Sequence, residues 1–306
     1  MVTILLATYN GETYLRQQLD SLLNQTHKEL FILISDDLSS DRTPGIIKEY
    51  EKKYPNQIKS LKNIKASGSP QNNFFRLLSS ADDDYIMLCD QDDIWLPHKV
   101  EVTLKEMKQM ELKWGNDLPL LVHGDLYVTD EEGTIRQKSM ARFQNIAVHD
   151  NRFTHYLVEN NITGNTVMIN RSFLSYLTYI PKQCMMHDWW LGLLASCFGK
   201  ISYIDQPLLL YRQHGSNQVG SRGQMEQYVS RLTQKERVKE EYRKMFLQAR
   251  AFLKQYGQEM DSEKREALEQ FVTLPDKSRL EKVRIIWKYK FYKSTIIRTF
   301  GQMLSI

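Results

Sequence analysis

Short apolar runs alternate with longer segments of helical periodicity through the first 125 residues, and this alternation restricts the possible folds more than any other feature. Residues 2–7 form a nearly continuous apolar run, which is typical of a strand buried on both faces. Similar runs occur at residues 30–34, 58–61, 85–88 and 120–122, and helical patterns separate them at 12–24, 41–54, 72–80 and 97–112. Strands that alternate with helices form βαβ units. The sequence therefore predicts an α/β fold with a mainly parallel sheet.

The pattern becomes less regular after residue 125. Strands are predicted at residues 166–169, 201–204 and 208–211, and a helix at 187–198 ends at Gly199. Beyond residue 223 only helical patterns remain, at residues 224–256, 262–272 and 278–304. We therefore expect an α/β domain over residues 1–220 and a helical, basic region over residues 221–306.

The composition and the length of the apolar runs exclude several classes of protein. Hydrophobic residues make up 42% and charged residues 25% of the 306 residues, which is ordinary for a globular protein. No apolar run approaches the ~20 residues that span a bilayer, and no basic segment precedes the first strand, so a cleaved signal peptide is not expected. Three cysteines without metal-ligand spacing fit reduced thiols. We expect a soluble protein of the cytoplasm.

Polar side chains follow three of the predicted strands, at residues 8–12, 35–37 and 90–93. Ligands of parallel α/β sheets bind outside the carboxyl ends of the strands, so we expect these segments to line one edge. The first strand is not followed by G-x-G-x-x-G, and the chain contains no G-x-x-x-x-G-K-[ST]. Dinucleotide-binding and P-loop interpretations therefore lose support.

Of these three polar segments, the acidic one at residues 90–93 gives the most specific indication of a function. Its three carboxylates, those of Asp90, Asp92 and Asp93, repel one another unless a cation lies among them. Oxygen ligands suit Mg²⁺ or Mn²⁺, and such ions are typically shared with substrate phosphates. The alternative is an acidic loop that caps the helix beginning near Pro97, because acidic groups favour helix N-termini.

Five motifs follow one another along the chain: A-T-Y-N-G at residues 7–11, S-D-D-L-S-S-D-R-T at 35–43, D-Q-D-D-I-W-L-P at 90–97, H-D-W-W at 187–190 and Y-R-Q-H at 211–214. Together they resemble the motifs of the inverting family 2 glycosyltransferases with the GT-A fold. The resemblance covers roughly residues 1–215. Within the family, the D-Q-D-D-I-W and H-D-W-W forms look most like streptococcal rhamnosyltransferases that build rhamnose-containing cell-wall or capsular polysaccharide.

The resemblance implies a donor site for a dTDP- or UDP-sugar at the strand ends. Asp37 would accept the imide N–H of the base, unless it only forms an Asx turn, and Tyr9 would pack against the ring. The remaining donor contacts, to nucleoside, ribose or phosphate, would come from Thr8, Asn10, Glu12, Asn73, Arg76 and Asp90. For Asn73 and Arg76 the alternatives are helix capping and a surface charge.

The same resemblance implies a divalent cation, Mg²⁺ or Mn²⁺, on the diphosphate. Asp92 would bind it, with Asp90 nearby, and His214 would be a further ligand if it is not merely structural. A cation there stabilises the charge that develops on the leaving group, so no general acid is required.

The resemblance also implies that the H-D-W-W motif and its surroundings bind the acceptor. Asp188 looks like the catalytic base of the family, and the start of a helix favours its ionised form. Its alternative role is to cap that helix. Trp189 and Trp190 point in different directions, so one would lie in the core and the other under an acceptor sugar. Further acceptor contacts are expected from Thr163, Asn165 and Asp125.

The C-terminal region is basic, with 18 Lys and Arg against 10 Asp and Glu over residues 231–306. From residue 277 onward, eight basic residues and Glu281 alternate with large apolar and aromatic residues, which is more typical of an interfacial helix than of a nucleic-acid arm. We therefore expect peripheral binding to an anionic membrane and no nucleic-acid partner. Helices that pack on the sheet domain, or a homodimer interface, are the alternatives.

Together these features predict a metal-dependent inverting glycosyltransferase on the inner face of the membrane. The expected donor is dTDP-β-L-rhamnose, and the expected acceptor is a lipid-linked saccharide. One alternative keeps the chemistry and changes the donor to a UDP-hexose or UDP-N-acetylhexosamine. Another is a non-catalytic module that binds sugar nucleotides or polysaccharide.

Overall fold

A computed structural model describes residues 1–215 and 235–305, which divide into two units. Unit 1 consists of Met1–Met140, Thr163–Tyr179 and the described part of Ile201–Ser221. Unit 2 consists of Ala141–Ile162, Ile180–Lys200 and the described part of Arg222–Ile306. This division differs from the predicted boundary near residue 220, because two segments of the first 200 residues group with the C-terminal helices.

A mixed β-sheet forms the centre of unit 1. Its strands within the described residues are β1 (Val2–Thr8), β2 (Leu30–Asp36), β3 (Ile58–Ser60), β4 (Tyr85–Cys89), β5 (Ile94–Trp95), β6 (Leu120–Thr129), β7 (Ile135–Gln137), β8 (Met168–Asn170) and β9 (Lys200–Arg212). Their order is β3-β2-β1-β4-β8-β6-β9-β5, with β7 paired to β6. The two short strands predicted at 201–204 and 208–211 are a single strand, β9.

Strand direction divides the sheet into two halves. The neighbours β3, β2, β1 and β4 are parallel, as the alternation of strands and helices predicts. Strand β8 is antiparallel to both β4 and β6, and β5 is antiparallel to β9. The α/β class is confirmed, but the sheet is less uniformly parallel than predicted, because the chain after residue 125 no longer alternates strand with helix.

Except for two short helices at Met140–Gln144 and Phe153–Tyr156, which were not predicted, the described helices coincide with the periodic segments of the sequence. They are α1 (Leu15–Leu23), α2 (Thr43–Lys53), α3 (Pro70–Leu78), α4 (Lys99–Trp114), α5 (Met140–Gln144), α6 (Phe153–Tyr156), α7 (His187–Phe198), α8 (Lys235–Tyr256), α9 (Ser262–Thr273), α10 (Arg279–Tyr289) and α11 (Ile296–Ser305). Gly199 ends α7 as predicted. The helix predicted over 278–304 is two helices, because Lys290 adopts a left-handed conformation with φ of 56° and ends α10. Part of the helix predicted at 224–256 lies outside the described residues.

Each unit has an apolar core. In unit 1 every residue of β1 is buried, and its aliphatic side chains pack with those of α1, α2 and α4. In unit 2 the core is aromatic: the Trp190 ring lies 5.3 Å from that of Phe252, and Phe271 lies 5.0 Å from both Phe246 and Phe291. None of the helices described is long and apolar enough to cross a bilayer.

Candidate functional site

Two loops at the carboxyl ends of β1 and β2 are fastened to each other by side chains. Asn10, with a left-handed φ of 47°, accepts a hydrogen bond from the backbone N–H of Ser40 at 2.9 Å through its Oδ1. Glu12 accepts one from the backbone N–H of Arg42 at 2.8 Å. These two side chains therefore shape the loops at this edge of the sheet. Direct contact of their side chains with a nucleoside stays a prediction.

Thr8 and Asn73 lie beneath these loops and are both buried. The Thr8 hydroxyl donates to Asp36 at 2.9 Å. Asn73 accepts from the Ser35 hydroxyl at 2.6 Å and donates to the Ser35 carbonyl oxygen at 2.8 Å. Because its amide is enclosed by the ends of β1 and β2, Asn73 supports the site from below and does not reach ribose or phosphate as predicted.

Hydrogen-bond donors surround the Asp37 carboxylate at the end of β2. Its carboxylate accepts hydrogen bonds from the backbone N–H groups of Ser67 and of Gly68, the latter at 3.0 Å, and Arg76 Nη1 lies 3.5 Å away. Gly68 has a φ of +80°, which a residue with a side chain rarely adopts and which lets successive N–H groups face one acceptor. A carboxylate has about four acceptor positions, so one remains for a further donor. This geometry is compatible with the predicted imide contact, and it gives Arg76 the role of balancing the charge of Asp37.

Tyr9 is the exposed aromatic residue of this edge, with 58% of its surface accessible. Its backbone is fixed by the side-chain amide of Gln91, which accepts from Tyr9 N–H at 2.8 Å and donates to the Tyr9 carbonyl oxygen at 3.0 Å. A Cβ at Gly11 would lie 2.3 Å from Gln91 Oε1, so glycine is required for this contact. Gln91 thus joins the loop after β1 to the acidic segment after β4.

The three carboxylates of the acidic segment do not form one cluster. Asp93 is fully buried and accepts hydrogen bonds from the Asn165 amide at 2.5 Å and from Arg212 N–H at 3.4 Å. Burial raises the pKa of the Asp93 carboxyl well above its ordinary value, and the charges of Asp92 and Asp90 raise it further. Asn165 is correspondingly a buried partner of Asp93, which corrects its predicted place in an acceptor pocket.

Asp92 and His214 are brought together although 122 positions separate them in the chain. Asp92 Oδ2 lies 2.9 Å from His214 Nε2, and both side chains are partly accessible. The His214 ring packs on Tyr14, 4.9 Å between centroids. Asp90 is half-buried immediately after β4.

The chemistry of this donor set fits a divalent cation shared with a substrate. A carboxylate oxygen and an imidazole nitrogen lie at one point of the sheet edge, and a cation bound with a diphosphate needs only one or two protein ligands. Among the described residues, no three His, Cys, Asp or Glu side chains are close enough to hold a metal ion by themselves. Asp92 and His214 would therefore bind a cation together with the phosphates, and not in a closed protein cage.

Arg212 fixes the end of β9 against the acidic segment. Its guanidinium lies over the Tyr14 ring, 4.5 Å from the centroid. It donates to the carbonyl oxygens of Asp92 at 3.1 Å and Glu131 at 2.7 Å, and to Gln17 Oε1 at 2.6 Å. Because His214 follows two residues later, this buried cation determines where the imidazole meets Asp92.

Asp188 occupies the first turn of α7 in unit 2, as the helix prediction requires. Its side chain is largely buried and accepts a hydrogen bond from the Trp189 backbone N–H at 2.7 Å. The residue that caps α7 is Met186, which offers no side-chain acceptor. Asp188 lies two residues beyond that cap and satisfies one of the free N–H groups of the first turn from inside the helix, so it is not the N-cap residue of the predicted alternative.

The two tryptophans of the H-D-W-W motif have different environments. Trp190 is fully buried, and its ring packs on Phe252 and on Tyr256. Trp190 is therefore the tryptophan of the pair that lies in the core, and it cannot contact an acceptor sugar. Trp189 is half-buried, and its indole N–H donates to the Tyr156 carbonyl oxygen at 2.6 Å. Trp189 is thus the one that remains a candidate platform.

Two further predicted acceptor residues lie in unit 1. Asp125 is buried within β6, not at its end, and accepts from the backbone N–H groups of Leu126 at 2.8 Å and Met140 at 3.1 Å. This internal position corrects the expectation that Asp125 ends a strand near the site. Thr163 is half-buried, and its carbonyl oxygen accepts from the Thr166 hydroxyl at 2.7 Å.

The structure adds residues that sequence reasoning missed: Gln91, Arg212 and the N–H groups of Ser67 and Gly68. Gln91 and Arg212 belong to two of the motifs quoted above, so their place in those motifs could have identified them as site residues. The loop at residues 66–70 carries no side-chain signal, because it contributes backbone donors.

Comparison with known proteins places this geometry in a family. Residues 3–177 match the sequence model of the family described as Glycosyl transferase family 2. The chain is 30% identical over 222 residues to the dTDP-rhamnosyl transferase RfbG of Shigella flexneri, an alignment that covers 71% of this chain and 74% of that protein.

Two solved structures share the fold. The structure of S. aureus TarS 1–349 in complex with UDP has a TM-score of 0.58 and 17% identity, and covers 91% of this chain and 73% of that chain. The mannosyltransferase PcManGT of Pyrobaculum calidifontis, in complex with GDP-Man and Mn²⁺, has a TM-score of 0.51 and 13% identity, and covers 83% of this chain and 64% of that chain.

Proposed function

This chain belongs to glycosyl transferase family 2, and on that premise we propose that it transfers L-rhamnose from dTDP-β-L-rhamnose to a saccharide hydroxyl with inversion. The observation that carries the proposal is the meeting of Asp92 and His214 at 2.9 Å, because it joins the D-Q-D-D segment to the Y-R-Q-H motif at the edge where Asp37 and Tyr9 lie. The similarity to a dTDP-rhamnosyl transferase at 30% identity supports the choice of sugar.

The donor nucleotide is proposed to bind across the ends of β1, β2 and β4. Asp37 accepts the imide N–H of thymine or uracil at the acceptor position that Ser67, Gly68 and Arg76 leave unused. The exposed ring of Tyr9 covers one face of the base. These two contacts recognise a pyrimidine but do not by themselves separate dTDP from UDP.

We propose that Asp92 and His214, with Asp90 nearby, hold Mg²⁺ or Mn²⁺ on the diphosphate. The cation would supply charge stabilisation for the departing nucleoside diphosphate. The chain's own part is to keep the carboxylate and imidazole in position, which Arg212 does by anchoring the end of β9.

The proposed reaction is a single displacement at the anomeric carbon. The acceptor hydroxyl oxygen forms a bond to that carbon while the bond from the carbon to the diphosphate oxygen breaks. Asp188 takes the acceptor proton, and the nucleoside diphosphate leaves with the electron pair. One displacement inverts the anomeric configuration. Trp189 would support the acceptor sugar through its exposed ring surface.

The acceptor is proposed to be a lipid-linked precursor of a cell-wall or capsular polysaccharide. An enzyme with such an acceptor would work at the inner face of the cell membrane, bound peripherally through its C-terminal helices. The alternative is that the same C-terminal helices form a homodimer interface.

A donor screen tests the sugar and the reaction class together. Nucleotide release is measured with dTDP-rhamnose, UDP-glucose, UDP-galactose and UDP-N-acetylglucosamine, each in the presence of Mn²⁺ and a soluble saccharide acceptor. The proposal expects turnover with dTDP-rhamnose to exceed the others by at least about tenfold, because methyl and hydroxyl differences in a site are worth roughly this factor or more. Preference for a UDP-sugar overturns the rhamnose assignment, and turnover with none of them supports a non-catalytic binding module.

A further inference from the structure

The last described helix, α11, has its apolar side chains on the outside. Ile296, Ile297 and Phe300 are 75%, 62% and 54% exposed. At 3.6 residues per turn these three positions fall within an arc of roughly 100°. A helix that packs on a domain in water normally presents the opposite arrangement.

The inner face of α11 is polar, with Arg298, Thr299 and Gln302 buried. Arg298 is buried and donates to Glu159 at 3.1 Å and to the Gln144 carbonyl oxygen at 2.8 Å. Burial raises the pKa of Glu159, but the charges of Lys293 and Arg298 and the hydrogen bonds from Ser294 together hold it below its ordinary value. The orientation of α11 is therefore fixed by an ionic contact, and its apolar face is not free to turn inward.

Helix α10 carries a second exposed apolar stripe. Leu280, Val283 and Trp287 lie on one side of this helix, again within an arc of roughly 100°, and are 85%, 38% and 55% exposed. Arg284 lies in the same arc and is exposed. The Trp287 ring packs at 5.4 Å on Tyr292, which belongs to the loop that joins the two helices.

Uncompensated positive charge lies beside the two stripes. Arg279, Arg284 and Lys290 are exposed, and none has an ion-pair partner within residues 1–215 and 235–305. The eight basic residues of this region are thus not equivalent, because Lys288 pairs with Glu266 at 3.4 Å and Arg298 is buried.

We propose that the outward faces of α10 and α11 form a docking surface for an anionic lipid bilayer. The apolar stripes would enter the boundary between headgroups and acyl chains, and the three unpaired cations would contact anionic headgroups. Exposed apolar side chains interspersed with unpaired cations match a membrane of this charge better than a neutral protein surface. The purpose of this surface, access to a lipid-linked acceptor, rests on the proposed function, but the binding itself does not.

The test is sedimentation of the purified full chain with vesicles of phosphatidylcholine, alone or mixed with phosphatidylglycerol. We expect binding to the mixed vesicles, weakening as salt rises from about 0.1 M to 0.5 M because exposed charges are then screened. Ile296→Ser with Ile297→Ser should lower the partition coefficient about tenfold. The matched control is Leu112→Ser with Ile135→Ser, which removes two exposed apolar residues of unit 1 and should change nothing.

A second variant tests the charges. Arg279→Glu, Arg284→Glu and Lys290→Glu together should abolish binding to the mixed vesicles, whereas Lys48→Glu, Lys52→Glu and Lys59→Glu change the net charge equally and should retain it. Nucleotide release with a soluble acceptor should be equal in all of these proteins, which separates failure of this surface from failure of the proposed chemistry. Absence of vesicle binding by the wild-type chain, or equal binding by all variants, overturns the proposal. So does a dimer that the Ile296/Ile297 variant dissociates in the absence of vesicles.

Discussion

The donor edge of unit 1 is organised by single side chains whose hydrogen bonds go to the backbone of a neighbouring loop. Gln91 holds Tyr9, Asp37 is held by Ser67 and Gly68, and Arg212 holds the backbone of Asp92. Each of these contacts fixes the position of a residue that we propose takes part in donor or metal binding. We therefore expect substitutions here to alter donor affinity before they alter the fold.

Gln91 and Gly11 give a residue-scale prediction in which two variants should act through one contact. Gln91→Ala removes both hydrogen bonds to Tyr9 and should raise the donor KM about 30-fold, since two such bonds contribute roughly 1 kcal/mol each. Gly11→Ala should have a similar effect, because the three atoms nearest to the added Cβ all belong to the Gln91 side chain. The double variant should be no worse than either single one in a double-mutant cycle of donor KM. Fully additive effects would show that the two residues act separately.

Lys99 gives a prediction about stability and pH. Its ammonium is buried without a hydrogen-bond partner among the described residues, although the Trp95 ring lies 3.6 Å away. Burial lowers its pKa from 10.5 to about 7, so between these two values the unfolded chain binds a proton that the folded chain does not. Stability should therefore rise with pH through this window.

Lys99→Met should accordingly stabilise the protein by about 1–3 kcal/mol at pH 7, measured by urea unfolding. The gain should be largest at or below pH 7 and vanish near pH 10.5, where the lysine is neutral in both states. Lys105→Met, an exposed position of the same helix, serves as the control and should show no such trend. A gain that does not vary with pH would contradict the account.

At the scale of the residue, sequence reasoning located the motifs but not the direction of each side chain. Asp37 and Asp92 lie where the pattern of polar strand ends predicts. The sequence alone did not show that Asp93 is buried while Asp92 is partly accessible. The buried Asp93 is bonded to Asn165, which is 72 positions away. The same reason applies to Trp190, whose partners Phe252 and Tyr256 belong to a distant helix.

At the scale of the element, helix α7 couples a local structural role to a proposed catalytic one. Asp188 Oδ1 satisfies the Trp189 N–H in the first turn, and an asparagine keeps an oxygen that can do the same. Asp188→Asn should therefore leave the thermal midpoint nearly unchanged. It should lower turnover by about 10²–10⁴-fold, the usual contribution of a general base.

Donor binding distinguishes a catalytic role of Asp188 from a purely structural one. Titration calorimetry with dTDP should give the same affinity for wild type and Asp188→Asn, because the proposed nucleotide contacts lie on other elements. Loss of dTDP affinity together with normal turnover per bound donor would assign Asp188 to structure alone.

At the scale of the whole molecule, the order of motifs along the chain was sufficient for the family and the α/β class. It did not predict the division into units, because α7 carries a family motif and yet its Trp190 is buried against α8. Nor did it predict that the basic C-terminal region separates into a buried ionic contact at Arg298 and exposed apolar stripes. Both features depend on which side chains meet across long separations in sequence.

The most direct test of the central claim is metal-dependent nucleotide release from the preferred donor. Wild type treated with EDTA should lose transfer and regain it with Mn²⁺ or Mg²⁺. Asp92→Asn should remain at least about 10²-fold below wild type with either ion, while keeping the wild-type thermal midpoint because Asp92 is partly exposed. His214→Gln should show the same loss with a weaker response to added metal. Full turnover in EDTA, or an Asp92→Asn enzyme as active as wild type, would contradict the account.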